Sequence, residues 1–222
     1  MKKLVCIGGG EIPRYKNGIL LPYETKEIDE EIVRLANKSN PNLLFISTAS
    51  FHPEEYFMGI KGVYEKLGCQ VKHLNLSQQF ENIKKDILSS DIIYIGGGDT
   101  RRMLYEFHKI GLDYLLIKAY NSGIVCAGLS AGSYCWFKYN YDLIEGLGVI
   151  PGVNCVHYDA KDEIAKNKFY NVIKEKHLIG YAIDNCVAIE FIDNVISIIK
   201  SNSKRKAYRI TYKNDRFIEE EL

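Results

Sequence analysis

The chain lacks most of the short signatures that assign a function on their own. Its six cysteines, at positions 6, 69, 126, 135, 155 and 186, include no CxxC pair. Neither a dithiol redox motif nor a zinc ribbon is therefore indicated, and His and Cys do not cluster at metal-ligand spacing elsewhere. There is no GK[ST] phosphate loop. Two glycine runs follow strand-like segments, but neither completes GxGxxG. Gly8-Gly9-Gly10 gives way to Glu11 and Pro13, and Gly96-Gly97-Gly98 to Asp99-Thr100-Arg101, so a dinucleotide fold has no fingerprint here. No excess of either charge exists: 29 basic and 28 acidic residues leave a formal net charge of +1. That removes the electrostatic case for a nucleic-acid or membrane-surface partner. No apolar run approaches the roughly 20 residues of a membrane span, and the one after MKK is too short for a signal sequence. Four of the cysteines lie in apolar, strand-like runs where a thiol acts as a small hydrophobe, which favours a reducing compartment. A cytoplasmic protein is the expectation.

What remains is ordinary globular composition, 46% hydrophobic and 26% charged over 222 residues, enough for one substantial domain spanning 1–222. No internal repeat, low-complexity tract or linker interrupts it. Short apolar runs at 4–7, 43–47, 92–95 and 124–127 read as buried parallel strands, because apolar residues follow one another rather than alternate. Between them lie helical patterns: Ile28, Ile32 and Leu35 share a face, and Pro53 opens a helix that Gly68 closes. A further amphipathic helix over 162–177 presents Ile164, Phe169, Val172 and Ile173. Runs at 187–191, 195–199 and 207–212, separated by turn-like Asp193-Asn194 and 201–203, predict antiparallel strands at one edge. The pattern predicts a three-layer α/β sandwich with a mainly parallel sheet, whose ligands collect beyond the strand carboxyl ends.

Gly128-Leu129-Ser130-Ala131-Gly132 lies between a strand and a helix, the context of a nucleophile elbow. There the serine projects into the crevice and the N–H of Ala131 points where an oxyanion would form. Serine needs a base. His73, His108 and His177 read as packing, solvated or capping residues, and His52 could border the crevice. His157 is the best candidate, in a loop between a short strand and a helix. Asp142, Asp159 and Asp184 are the candidate carboxylates behind it, and spacing alone does not choose among them. The run Gly96–Gly98 offers bare backbone N–H groups to an anion.

Residues 95–100, 128–133, 146–152 and 157–159 together resemble the peptidase-E family of serine peptidases, which includes aspartyl dipeptidases and the related cyanophycinases. The resemblance runs through nearly the whole chain in order, including 181–189. It implies a fold like class I glutamine amidotransferases, with Ser130 where those enzymes carry a cysteine. It also implies Ser130 as nucleophile, His157 as base, and the Gly97, Gly98 and Ala131 N–H groups as the oxyanion hole. With no metal-ligand cluster or cofactor motif in the sequence, no cofactor or metal is expected. For the third triad member it offers Asp142, or a later acidic position that here falls on Asn185, with Cys186 where glycine is common. Asp184 is adjacent but points to the other face of a regular strand. The substrate implied is a small peptide, including dipeptides with an amino-terminal aspartate. Asp99, Thr100 and Arg101 then fall at the substrate, and Arg102, Lys138 and His52 are further candidate cations or donors. Two other readings use the same residues. One is an α/β-hydrolase-type esterase with the order Ser130, Asp142, His157. The other, motivated by Asn185, is a binder of a small acidic ligand that does not hydrolyse it.

Overall fold

In the computed structural model, which describes every residue except Asn17 and Asn194, burial alternates along the first strand, β1 (Lys3–Ile7). Leu4 and Cys6 enter one apolar core, and Val5 and Ile7 enter another. A strand wholly buried on both faces needs helices above and below it. The chain continues through the short hairpin β2 (Tyr15–Lys16) and β3 (Ile19–Leu20) to α1 (Lys26–Ala36), β4 (Asn42–Ile46), α2 (Pro53–Lys66) and β5 (Gln70–His73). Next come α3 (Phe80–Leu88), β6 (Ile92–Ile95), α4 (Thr100–Ile110), α5 (Leu112–Asn121), β7 (Val125–Leu129) and the short α6 (Ala131–Tyr134). The rest is β8 (Phe137–Asn140), β9 (Ile150–Val156), a single 3₁₀ turn at Tyr158–Ala160, α7 (Glu163–Lys176), β10 (Ile179–Ile183), β11 (Val187–Ile192), β12 (Val195–Lys200), β13 (Ala207–Lys213) and β14 (Arg216–Glu221).

The large sheet has seven strands in the order β12-β11-β1-β7-β6-β4-β5. β1, β7, β6, β4 and β5 run parallel, and β11 and β12 join antiparallel at one edge. α1 and α2 cover one face with Ile28, Ile32, Leu35, Ile60 and Tyr64. α3, α4 and α5 cover the other with Ile83, Ile87, Met103, Phe107 and Leu116. Each such side chain, fully buried, is worth about 1.5–3 kcal/mol of transfer free energy. This is the three-layer α/β arrangement that the apolar runs predict.

A second, five-stranded sheet has the order β14-β13-β10-β9-β8. Its inner face sends Phe137, Ile150, Tyr181, Ile183 and Ala207 into the core of the large sheet. α7 closes its outer face with Phe169, Val172 and Ile173 against Val153, Cys155, Ala182 and Ile210. Two sequence expectations change here. Ile164 is 70% exposed on the first turn of α7 rather than on its packed side. The three C-terminal strands do not share one edge either: β11 and β12 finish the large sheet, while β13 pairs with β10 in the second. Alternation identifies strands but carries no record of their partners. Asn194, half of the expected Asp193-Asn194 turn, lies outside the described residues. All six cysteines are buried and unpaired. No helix among the described residues is long and apolar enough to cross a membrane.

Register places the loops that matter. Ile7 pairs with Leu129 and Ile95 with Gly128, so the segments beginning at Gly8, Gly96 and Ser130 emerge side by side. In the second sheet Val156 pairs with Ile183, which brings His157 beside Asp184 and Asn185.

Candidate active site

β7 ends at Leu129 and α6 starts at Ala131, leaving Ser130 alone to make the turn, at φ 55° and ψ −111°. Its carbonyl accepts the N–H groups of Ser133 and Tyr134 at 2.9 and 3.0 Å, so the helix starts at once. The flanking glycines are required by space. A Cβ on Gly128 would stand 2.0 Å from the Gly132 carbonyl oxygen, and one on Gly132 2.0 Å from that of Ile95. Held this way, Ser130 Oγ lies 3.0 Å from His157 Nε2.

His157 itself has φ 51°, and Cys186, across from it, has φ 62°. Left-handed backbone at non-glycine residues costs of order 1–3 kcal/mol each and persists where surrounding structure over-determines it. Three such residues meet here. The Gly8–Gly10 segment supplies much of that constraint: the carbonyls of Gly8 and Gly9 accept the N–H groups of His157 at 3.1 Å and Cys186 at 2.8 Å. The run that matched no phosphate motif is a backbone plate behind the histidine.

His157 Nδ1 lies 2.6 Å from Asn185 Oδ1. The Asn185 amide nitrogen in turn donates to both carboxylate oxygens of Asp159, at 3.0 and 3.2 Å, and its backbone N–H to Asp159 Oδ1 at 2.8 Å. Arg205 Nη1 stands 2.5 Å from the second carboxylate oxygen. Burial alone would push the Asp159 carboxyl up, but the Asn185 hydrogen bonds and the Arg205 guanidinium hold it below the usual carboxylate value.

The Ser130–His157 pair opens into a cavity of about 860 Å³, a size typical of small-ligand sites. Glu11, Arg14, Glu24, Phe51, His52, Glu55, Tyr56 and Arg205 are among the residues that line it. Gly97 and Gly98 also line it. Among the described residues, the backbone N–H groups of Gly98 and Ala131 donate to no protein acceptor, while that of Gly97 reaches Tyr56 Oη at 3.4 Å. Burial pushes the Tyr56 phenol up to about 12, so it stays neutral and able to donate into the site. The cavity-lining Cys186 thiol is also pushed up by burial, and burial does the same to Cys126 and Cys135 on either side of the turn. A protonated thiol is a weak nucleophile.

The structure thus brings together Ser130, His157, Asn185, Gly97, Gly98 and Ala131. Of the other candidates, His52 lines the cavity and Asp159 joins the network through Asn185, while the rest lie outside it. Asp142 sits in the turn between β8 and β9, and its carboxylate is taken by Lys168 Nζ at 3.0 Å. Asp184 follows the strand alternation away from His157 and accepts the Lys206 N–H at 2.9 Å, clamping β10 to the start of β13. Asp99 is the N-cap of α4, accepting the Arg102 N–H at 3.0 Å. Thr100 and Arg101 form the first turn of that helix outside the cavity, with Arg101 exposed. Arg102 reaches back to the Ser50 carbonyl, and Lys138 pairs with Glu145. Of the other histidines, His52 lines the cavity, His73 is bonded to Ser47 at 2.6 Å and His108 to Asp113 at 2.6 Å. Arg14, Glu24, Tyr56 and Arg205 are cavity residues that sequence reasoning did not single out; they lie far apart in the chain and carry no shared local pattern.

Fold and geometry place the chain among α/β proteins with a sharp strand-to-helix elbow at the carboxyl edge of the sheet, here at Ser130 beside His157. Comparison with known proteins narrows that class. Peptidase family S51 matches residues 22–199, and the chain belongs to that family. It is 30% identical over 220 residues to the uncharacterized peptidase YgaJ of Bacillus subtilis strain 168, a match covering 95% of this chain and 92% of the relative. The fold is shared with a peptidase from an acI-B1 Actinobacterium, at TM-score 0.73 and 19% identity, over 100% of this chain and 97% of that one. It is shared as well with a candidate peptidase E protein from Listeria monocytogenes EGD-e, at TM-score 0.67 and 20% identity, over 90% and 98% of the two chains.

Proposed function

We propose that the protein is a serine peptidase of short peptides, working through an acyl-enzyme. The observation that carries this reading is the 3.0 Å contact between Ser130 Oγ and His157 Nε2 on a strained elbow facing the cavity. In the reaction, Oγ attacks the scissile carbonyl carbon as its proton passes to Nε2. The carbonyl oxygen becomes an oxyanion received by the Gly98 and Ala131 N–H groups, with Gly97 alongside. His157 then returns the proton to the leaving amine, the C–N bond breaks, and the acyl group stays on Ser130. Water, deprotonated by His157, then attacks this ester; the acyl carbon–Oγ bond breaks as His157 returns the proton to Ser130 Oγ, and the acid is released. Each well-placed oxyanion donor is worth on the order of 10²–10³ in kcat.

The mixed lining of the cavity supports a zwitterionic short peptide over a purely anionic chain. Glu24 and Glu55 suit an ammonium group, and Arg14 and Arg205 suit carboxylates. A dipeptide with an amino-terminal aspartate fits that lining, with Arg14 in place of Arg101 as the cation.

The test is turnover of a panel of Asp-X, Glu-X, β-aspartyl and neutral dipeptides by wild type and Ser130→Ala. Loss of a serine nucleophile costs on the order of 10⁶ in kcat, so the variant should be inert while remaining folded. Wild-type turnover by the variant would refute the mechanism. A p-nitrophenyl ester rate far above every peptide rate would favour an esterase.

A further inference from the structure

A neutral amide is an ambiguous partner for a catalytic histidine, because it can present either its oxygen or its NH₂ group. With the oxygen toward His157, Nδ1 must carry the proton, and the lone pair on Nε2 faces Ser130. With the NH₂ toward His157, Nδ1 must accept, Nε2 is protonated, and the imidazole cannot take the serine proton. A carboxylate at position 185 would be free of this choice, since it only accepts. Here the residue is Asn185, and something else must fix its orientation.

The geometry points to Asp159 as that residue: we infer that Asp159, held by Arg205, is a positioning residue that locks the Asn185 amide and thereby the reactive tautomer of His157. The inference rests on the serine-hydrolase reading above and goes beyond it. Three contacts carry it. Asn185 Nδ2 lies within 3.0 and 3.2 Å of the two Asp159 oxygens, and the Asn185 backbone N–H reaches Oδ1 at 2.8 Å. An ionised carboxylate has no hydrogen to offer, so the amide face turned toward it must be NH₂. Reversing the amide would set its oxygen against two acceptors. Arg205 Nη1, 2.5 Å from Oδ2, keeps the carboxylate in place and ionised, and only 10% of the Asp159 side chain is exposed. Asp159 does not touch His157 or the reacting atoms. It acts through Asn185.

The full-length protein provides the test, with a fluorophosphonate as probe: Ser130 Oγ displaces fluoride from phosphorus while its proton passes to His157, so labelling needs no knowledge of the substrate. A reversed tautomer in a serine triad costs on the order of 10⁴ in kcat. Asp159→Ala should therefore slow labelling of Ser130 by at least about 10²-fold. Adding Asn185→Asp to it should restore at least about tenfold, because an acceptor-only side chain needs no partner to orient it. The second change restores none of the contacts Asp159 made to the loop, so a merely structural role predicts no recovery. Nitrogen-15 NMR of the imidazole in wild type, at a pH where His157 is neutral, reads the tautomer without any variant having to fold. It should show the proton on Nδ1. Labelling of Asp159→Ala within about threefold of wild type, absence of recovery in a folded double variant, or a protonated Nε2 in wild type would each overturn the positioning role alone. Wild type that takes no adduct on Ser130 would instead bring down the hydrolase reading on which it rests.

Discussion

A Cβ placed on Gly9 would stand 2.3 Å from His157 Nδ1 and 2.2 Å from Asn185 Oδ1, inside the hydrogen bond that joins them. Gly9→Ala must therefore push the histidine or the asparagine aside. Misplacement by about 1 Å is enough to cost 10²-fold in rate, so Ser130 labelling should fall by at least that factor. Gly62, exposed in the middle of α2 with nothing within 4 Å of its would-be Cβ, is the matched control. Gly62→Ala should leave labelling unchanged and add roughly 0.5–1 kcal/mol of stability, read from chemical denaturation.

The contrast between these two glycines shows what was legible in the sequence. Ser130 stood out because an elbow is a local event: strand, turn and helix lie within about a dozen residues, and close backbone approach writes glycine at both sides of the serine. The glycines at 97 and 98 are visible for a similar local reason. The register of Asn185 against Asp184 followed from strand alternation once the family resemblance was in hand. By contrast, the task of Gly8–Gly10 depends on His157 and Asn185, which reach it from the second sheet. The pairing of Asp159 with Arg205 is equally non-local. The position of Arg101 just after the glycine run says nothing of which way the first turn of α4 faces, and that turn carries it outside the cavity.

Ser130 is held at positive φ, a conformation that costs most residues about 1–2 kcal/mol and glycine almost nothing. Ser130→Gly should accordingly raise the unfolding free energy by about 1 kcal/mol while eliminating hydrolysis. Equal or lower stability in the variant would mean that the elbow stores no strain.

Among the arginines, Arg14 lines the cavity, 2.8 Å from Glu11 and over the Tyr56 ring, whereas Arg101 is exposed outside it. A charge-assisted hydrogen bond is worth about 1.5–3 kcal/mol. Arg14→Gln should raise KM for acidic dipeptides by roughly tenfold or more, and Arg101→Ala should leave it within about twofold. The opposite pattern in steady-state kinetics would return the cation role to the first turn of α4.

Asp29 gives a stability prediction away from the site. It is fully buried on α1, accepting hydrogen bonds from Thr25 Oγ1 at 2.8 Å and Tyr64 Oη at 2.7 Å. Burial pushes its carboxyl from the ordinary 3.8 up to about 6, against the pull of those hydrogen bonds. The folded state therefore binds the proton more tightly than the unfolded chain. The contribution of Asp29 is most favourable below about pH 4 and is lost as pH rises to about 6. Asp29→Asn removes this dependence, so the stability of the variant relative to wild type should improve by on the order of 3 kcal/mol between those limits. Urea denaturation of both proteins at pH 4 and pH 7 checks it, and parallel pH profiles would refute it.

The central claim is that Ser130 is a nucleophile activated by His157. Its most direct test is peptide mapping by mass spectrometry after fluorophosphonate treatment of wild type, Ser130→Ala and His157→Gln. One adduct is expected in wild type, on Ser130, with none on the alanine variant and labelling of the glutamine variant slowed by orders of magnitude. No adduct on folded wild type, or an adduct at Ser130 that forms equally fast without His157, would contradict it.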